Sequence, residues 1–255
     1  MNINRYSEYD RFARVYNQHW GNTFTALGLQ VMEILLLPHL PAQASILDLC
    51  CGTGQLARVL NARGYRVTGI DGSEYMVRYA RENAPGVEFI IDDARSFHLP
   101  HTFHAVVSTF DSLNHIMSLE DLASVFSHVY TALQEGGRFL FDLNMEEGYR
   151  TMWGDNLDIV EDDQVCVIQT DYNPIERTAR FKTTIFYLDK EWQRSDITLT
   201  QKYHSEAEVT SALKSAGFID INTYAHNDDW VLGELTPDST RAFFICQKPP
   251  GGNPL

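Results

Sequence analysis

The chain has 255 residues, 44% hydrophobic and 21% charged, the balance of a folded globular protein with room for one large α/β domain or a domain carrying an insertion. Lys plus Arg is 20 and Asp plus Glu is 34, so the formal charge is −14, which argues against a broad nucleic-acid surface and against adsorption to an anionic membrane. No apolar run approaches the roughly 20 residues of a transmembrane helix, and the first residues carry no apolar signal-peptide core, so the cytoplasm is the expected compartment.

In chain order, Tyr6, Tyr9, Phe12, Tyr16 and Trp20 recur every three or four residues, the spacing of one buried helix face in an N-terminal helical cap over residues 1–40. Short apolar runs at 45–49, 66–70, 87–91, 105–109 and 138–143 then alternate with amphipathic stretches at 56–63, 73–83 and 119–133. Strand and helix in alternation predict a parallel sheet covered on both faces. His98, His101 and His104 flank Pro100 and read as exposed loop residues, not metal ligands; no metal is required. Ser118 followed by Asp121 resembles a helix cap, and Gly136-Gly137 is expected to end that helix.

The pattern changes after Leu143. Segments 163–172, 179–188 and 197–202 are rich in Val, Ile, Thr, Tyr and Phe, with turn-prone Asn173-Pro174 and Asp189-Lys190 between them. They predict a small antiparallel insertion, residues 146–204, inside an α/β domain made of 41–145 and 205–248. Ser205 and Glu208 predict a capping box for a helix ending near Gly217; strands follow at 218–224 and 241–248, and the tail 249–255 is expected to fray. Cys50, Cys51, Cys166 and Cys246 show no zinc spacing and read as reduced, buried thiols.

The most informative segment is Ile46-Leu47-Asp48-Leu49-Cys50-Cys51-Gly52-Thr53-Gly54, a strand running into glycines at the head of a helix. Alone it also fits a dinucleotide fingerprint through Gly52, Gly54 and Ala57, with Asp71 about 20 residues on. Asp48 separates the readings. A carboxylate beside the loop repels a pyrophosphate and suits the ammonium and sulfonium of S-adenosylmethionine. Asp71, ending the second strand, can accept from both ribose hydroxyls, and Asp93, after the third, from the adenine amino group.

With Val67-Thr68-Gly69-Ile70-Asp71-Gly72-Ser73, Met76, Asp92-Asp93-Ala94-Arg95 and Leu133-Gln134-Glu135-Gly136-Gly137-Arg138-Phe139, the chain resembles the class I S-adenosylmethionine-dependent methyltransferases over about residues 45–145. The resemblance implies a Rossmann-like, doubly wound seven-stranded sheet with its last strand antiparallel, and S-adenosyl-L-methionine as methyl donor. It implies Asp48 and Gly52 near the methionyl part, Asp71 on the ribose, and Met76 and Asp93 around adenine. Cys50, Gly54, Gly72, Ala94 and Phe110 complete the expected cofactor-binding set, with Tyr16 reaching over from the N-terminal helix. Cys50 stands where the family usually has glycine, which predicts a slightly tighter loop with binding retained.

The fourth strand ends in Thr109-Phe110-Asp111-Ser112-Leu113-Asn114-His115, similar to small-molecule members with an antiparallel lid after the fifth strand. Asp111, Asn114 and His115 are therefore the expected catalytic residues, with Tyr149, Trp153 and the insertion walling the acceptor. His115 or Asp111 could take a proton from an amine; equally, His115 could hydrogen-bond the loop together and Asp111 brace it. The expected activity is methyl transfer to a small-molecule nitrogen or oxygen, with no nucleic-acid or membrane partner. The alternatives are a protein or nucleic-acid methyltransferase, a nicotinamide-dependent dehydrogenase, and a non-catalytic binder.

Overall fold

The computed structural model describes residues 7–151, 156–226 and 232–251. A 3-10 turn at Glu8–Arg11 leads into α1 (Ala13–His19) and α2 (Gly21–Leu35). There follow β1 (Ser45–Leu49), α3 (Gln55–Ala62), β2 (Arg66–Asp71), α4 (Glu74–Asn83), β3 (Glu88–Ile91), β4 (Phe103–Ser108), α5 (Leu119–Ala132) and β5 (Leu133–Asn144). After the short α6 (Glu146–Thr151) come β6 (Leu157–Val160), β7 (Gln164–Asn173), β8 (Thr178–Leu188) and β9 (Trp192–Lys202). The chain then returns through α7 (Glu206–Ser215), β10 (Ile219–His226), the two-residue β11 (Leu232–Gly233) and β12 (Arg241–Gln247).

The main sheet runs β11-β10-β12-β5-β4-β1-β2-β3. β5, β4, β1, β2 and β3 are parallel to one another, and the last strand, β12, is antiparallel to both β5 and β10. These are the seven expected strands; β11 adds two residues at the edge. The central strands are apolar on both faces because helices cover both. Ile46, Leu140, Phe243 and Ile245 face α2, α3 and α4, where Met32, Leu60 and Val77 pack. Their neighbours in sequence, Leu47, Phe139, Phe141 and Phe244, face α5 and α7 through Phe126, Val129 and Leu213. Period-two alternation between two cores explains the continuous aliphatic runs.

The expected caps are present: Ser118 accepts from the Asp121 amide, and Ser205 with Glu208 forms a full capping box. The glycine pair differs from expectation. α5 ends at Ala132 and Leu133 is already extended; Gly136, at φ +76, lies within β5 where the register against β4 slips between Phe103/Leu133 and Ala105/Arg138. The pair shapes a bulge, not a helix end. At the chain's other end, the carbonyl of Pro249 accepts from the Gly136 amide, so the start of the tail is tied to this bulge, and residues 252–255 lie outside the described residues.

Strands β6 to β9 form a separate four-stranded antiparallel sheet, one strand more than expected. In β8, Thr183 and Ile185 are buried while Lys182 and Leu188 are exposed, so one face is covered. What covers it is the N-terminal segment: Phe12 and Val15 pack with Cys166, Ile168, Ile185 and Leu199, flanked by Tyr9, Tyr16 and Trp20. The aromatic stripe thus serves the second sheet, broken across a 3-10 turn and a helix; Tyr6 lies outside the described residues. The four cysteines are free thiols. No described helix is long and apolar enough to cross a membrane.

Candidate active site

Strand order reverses around β1, whose two neighbours are β2 and β4, and at that point the carboxyl ends of the strands open a crevice. The loop from Cys50 to Gly54 lies at its floor. Three of its residues have left-handed backbone: Cys50 (φ +61), Gly52 (φ +54) and Gly54 (φ +79). At Gly54 a Cβ would sit 2.8 Å from the Cβ of Ala80, so only glycine fits beneath α4. Cys50 adopts the same backbone region at a steric cost, which is the physical reason glycine is favoured there.

Two cavities meet at this loop. The larger, about 430 Å³, is lined on one side by Gly52, Asp71, Gly72, Met76, Asp93 and Ala94, and on the other by Phe110, Ser112, His115 and Thr200, with Tyr9 and Tyr16 over it. Its volume falls in the range of about 300–1,000 Å³ typical of small-molecule sites. The smaller, about 20 Å³, holds Asp48, Cys50, Gln55 and Thr109; Tyr16, Cys50 and Phe110 border both cavities. Of the expected cofactor residues, only Gly54 lines neither. Its part is to seat α3 against α4.

Asp48 is 2% exposed, and its Oδ2 is buried without a hydrogen-bond partner. Burial, reinforced by Asp71, pushes its carboxyl up to about 8. Such an acid is a place where a cation or a hydrogen-bond donor would be favoured. Asp71 accepts from the amides of Gly52 (2.9 Å) and Ser73 (2.8 Å), one on each oxygen. Burial raises it to about 6, less than Asp48 because those two amides hold the charge. Each oxygen keeps a second lone pair for a ribose hydroxyl. Asp93 is gripped by Arg95, Nε to Oδ1 at 2.8 Å and an η-nitrogen to Oδ2 at 2.6 Å, which outweighs its burial and holds its carboxyl low. Arg95 carried no role in the sequence reading beyond its motif, yet it borders the cavity and anchors Asp93.

The acceptor-side expectations divide. His115 lines the large cavity, and its Nδ1 lies 2.7 Å from the carbonyl of Thr200. A carbonyl only accepts, so Nδ1 carries the proton and Nε2 presents a lone pair. The Tyr9 hydroxyl (2.9 Å) and the Gln201 amide (3.2 Å) approach that nitrogen. Burial lowers the pKa of the ring, more than Asp111 raises it. Asp111 and Asn114 do not line either cavity, contrary to expectation. Asp111 binds Arg241 through Oδ1 (2.7 Å) and accepts the Gln201 amide on Oδ2 (2.6 Å). Asn114 is fully buried; it donates to the carbonyls of Lys202 and Asn144 and accepts from the amide of Asn144. Both brace the loop. Tyr149 is buried too, its hydroxyl on Gln201 Oε1 at 2.9 Å, and Trp153 lies outside the described residues. Gln201, which the sequence did not single out, joins the second sheet to this loop.

His98 and His101 are exposed and His104 accepts at Nδ1 from Ser45; among the described residues no group of three or more His, Cys, Asp or Glu could hold a metal.

A doubly wound sheet with an acid-lined crevice at its switch point defines a nucleoside-binding α/β protein. Residues 46–137 match the model of the methyltransferase domain family. A Bacillus subtilis (strain 168) chain, YqeM, provisionally named a methyltransferase, is 28% identical across 94% of this chain and 97% of its own length. The dTDP-3-amino-3,4,6-trideoxy-alpha-D-glucopyranose N,N-dimethyltransferase of Streptomyces venezuelae is 27% identical over 77% of this chain and 84% of that one. A crystal structure of an S-adenosylmethionine-dependent methyltransferase from Clostridium acetobutylicum ATCC 824 superposes with a TM-score of 0.75 at 18% identity, covering 94% of this chain and 99% of the other. Residues 46–137 thus carry a methyltransferase domain, and the chain is an S-adenosylmethionine-dependent methyltransferase with S-adenosylmethionine as its methyl donor.

Proposed function

We propose that this methyltransferase acts on a nitrogen or oxygen of a small molecule, by in-line displacement within the large cavity. The observation that carries the proposal is that His115 and Thr200 line the same cavity as Asp71 and Asp93, beneath the N-terminal segment and β9. A cavity of that size suits a small metabolite, and the net charge of −14 disfavours nucleic acid. The Streptomyces venezuelae relative, named for an amino sugar, supports a small amine as acceptor.

In this reading residues 41–145 and 205–248 hold the donor, 1–40 cap it, and the insertion 146–204 is the lid. Asp48 takes the ammonium, Asp71 the ribose, Met76 and Asp93 the adenine, with Gly52, Gly72 and Ala94 giving backbone room. Tyr16 and Phe110 close over the small cavity. The bound donor supplies a methyl on sulfonium, a ready leaving group. The protein's contribution is chiefly alignment, which can supply on the order of 7–11 kcal/mol. A protonated amine must first lose a proton, and Nε2 of neutral His115 receives it once the Tyr9 hydroxyl turns aside. The test is release of S-adenosylhomocysteine across a panel of small amines, amino-sugar nucleotides, small alcohols, short peptides and RNA. Turnover of small amines or alcohols is expected; methylation of peptide or RNA alone overturns the proposal.

A further inference from the structure

The loop after β4 carries both Phe110, at the donor cavities, and His115, at the acceptor end. Two adjacent residues near its start are strained: Phe110 has φ +66 and Asp111 φ +48, a region that side-chain-bearing residues rarely adopt. A strained loop persists only where its surroundings over-determine it. Here the determinants are remote in sequence. Asp142, at the end of β5, accepts the Phe110 amide on Oδ1 (2.6 Å) and the Asp111 amide on Oδ2 (3.1 Å). Arg241, the first residue of β12, spreads its guanidinium over both acids, donating to Asp142 Oδ2 and to Asp111 Oδ1. Held this way, the Phe110 ring stacks on Phe24 at 4.6 Å between centroids and borders both cavities.

We propose that Arg241 is a positioning residue of the methyl transfer: lining neither cavity itself, it clamps Asp142 and Asp111 and so fixes the loop that brings Phe110 to the donor and His115 to the acceptor. The proposal rests on the site reading given above. The fork geometry matters, because a guanidinium bonds two carboxylates at once and an ammonium does not reproduce both. The cation also compensates Asp111, the acid that acts most strongly on His115. The ring is faced by Asp111 from its own loop, by Glu8 and Tyr9 from the N-terminal segment, and by the uncharged Thr200 carbonyl and Gln201 amide from β9. Removing Arg241 leaves Asp111 uncompensated, and this favours the imidazolium.

The experiment compares the native chain with Arg241→Lys and Arg241→Met. Calorimetry with S-adenosylhomocysteine reads the Phe110 side, and nitrogen NMR of the histidine ring against pH reads the His115 side. In Arg241→Met the dissociation constant is expected to rise by about tenfold, and the His115 midpoint by about half a pH unit or more, with Arg241→Lys between. A residue that only stabilises the fold would lower the melting temperature and leave both readouts at native values; that result in either folded variant overturns the proposal. If Arg241→Met does not fold, Arg241→Lys, which keeps the buried charge balance, decides alone. Failure of the native chain to bind S-adenosylhomocysteine would instead reject the site reading itself.

Discussion

At the scale of single residues the site is a set of acids, some buried and some lining the cavity. Asp48 is the extreme case, with a buried oxygen lacking a partner and a carboxyl raised to about 8. Asp48→Asn removes that buried acid. Above pH 8 the ligand-free variant is expected to unfold at a higher temperature than the native chain, by a margin on the order of a few kcal/mol, while S-adenosylhomocysteine binding collapses. Scanning calorimetry and titration calorimetry read the two effects; a variant no more stable yet still binding would remove Asp48 from the ammonium site. For His115 the tautomer is set by Thr200, and burial lowers its pKa below the usual 6.5. His115→Asn is expected to cut turnover by about 10²–10⁴ with little change in donor affinity. The native rate should hold on acidification until below pH 6.5, since a depressed pKa keeps the base neutral longer. A full rate in His115→Asn would leave the ring a structural part.

The acids near the strand ends were readable because Asp48 and Asp71 come straight after apolar residues and Asp93 one residue after such a run, and the chemistry of the expected ligand asks for acids there. The clamp made by Asp142 and Arg241 was not. Its two halves lie 99 residues apart and meet only because β12 runs antiparallel to β5, pairing Asn144 with Arg241. Asn114 shows the complementary error. Its motif marks it as an acceptor-side residue, but only the tertiary fold shows that its amide closes onto the backbones of β5 and β9.

At the scale of elements, the N-terminal segment and the second sheet depend on each other. The segment's aromatic stripe gives a helix-like period, yet nothing local says which surface it covers, and that surface turned out to be the insertion. Arg14 adds an ion pair to Asp163 (2.8 Å) and stacks over Tyr187, but both partners are exposed and contribute little. The apolar contact of Phe12 with Trp20, Cys166 and Ile185 dominates. Phe12→Ala is expected to destabilise the chain by about 3–5 kcal/mol if the gap stays open, less if the segment collapses onto it. Because Tyr16 approaches Gly52 from the adjoining turn, the same variant should release bound S-adenosylhomocysteine faster. Stopped-flow displacement measures that rate; an unchanged rate beside lowered stability would mean that the segment does not retain the donor.

At the scale of the whole molecule, the ligand-free protein holds acids that its unfolded chain would ionise freely. Asp48 at about 8 and Asp71 at about 6 both lie above the ordinary value of 3.8. The folded state therefore binds more protons than the unfolded state between these limits, so the free energy of unfolding falls as pH rises. Asp71 contributes most of its loss between about pH 4 and 6, and Asp48 continues to about 8. Buried histidines such as His115 act in the opposite sense below the ordinary 6.5, so the Asp48 effect is read above pH 7: ligand-free protein should melt higher near pH 7 than near pH 8.5, opposite in sign to a protein whose acids are salt-bridged. Asp93, held by Arg95, contributes in that opposite sense but only below the ordinary carboxylate range. A cationic amino group docked on Asp48 reverses the larger effect, since it favours the ionised carboxylate. Binding of S-adenosylhomocysteine at pH 7 should then release close to one proton from Asp48, and ligand at a hundredfold excess over its dissociation constant should add about 2.7 kcal/mol of stability. Calorimetry in buffers of different ionisation enthalpy counts the protons. Zero release, with melting temperatures that do not fall from pH 7 to 8.5, would mean that Asp48 is ionised before the ligand arrives and that the charge is answered inside the protein.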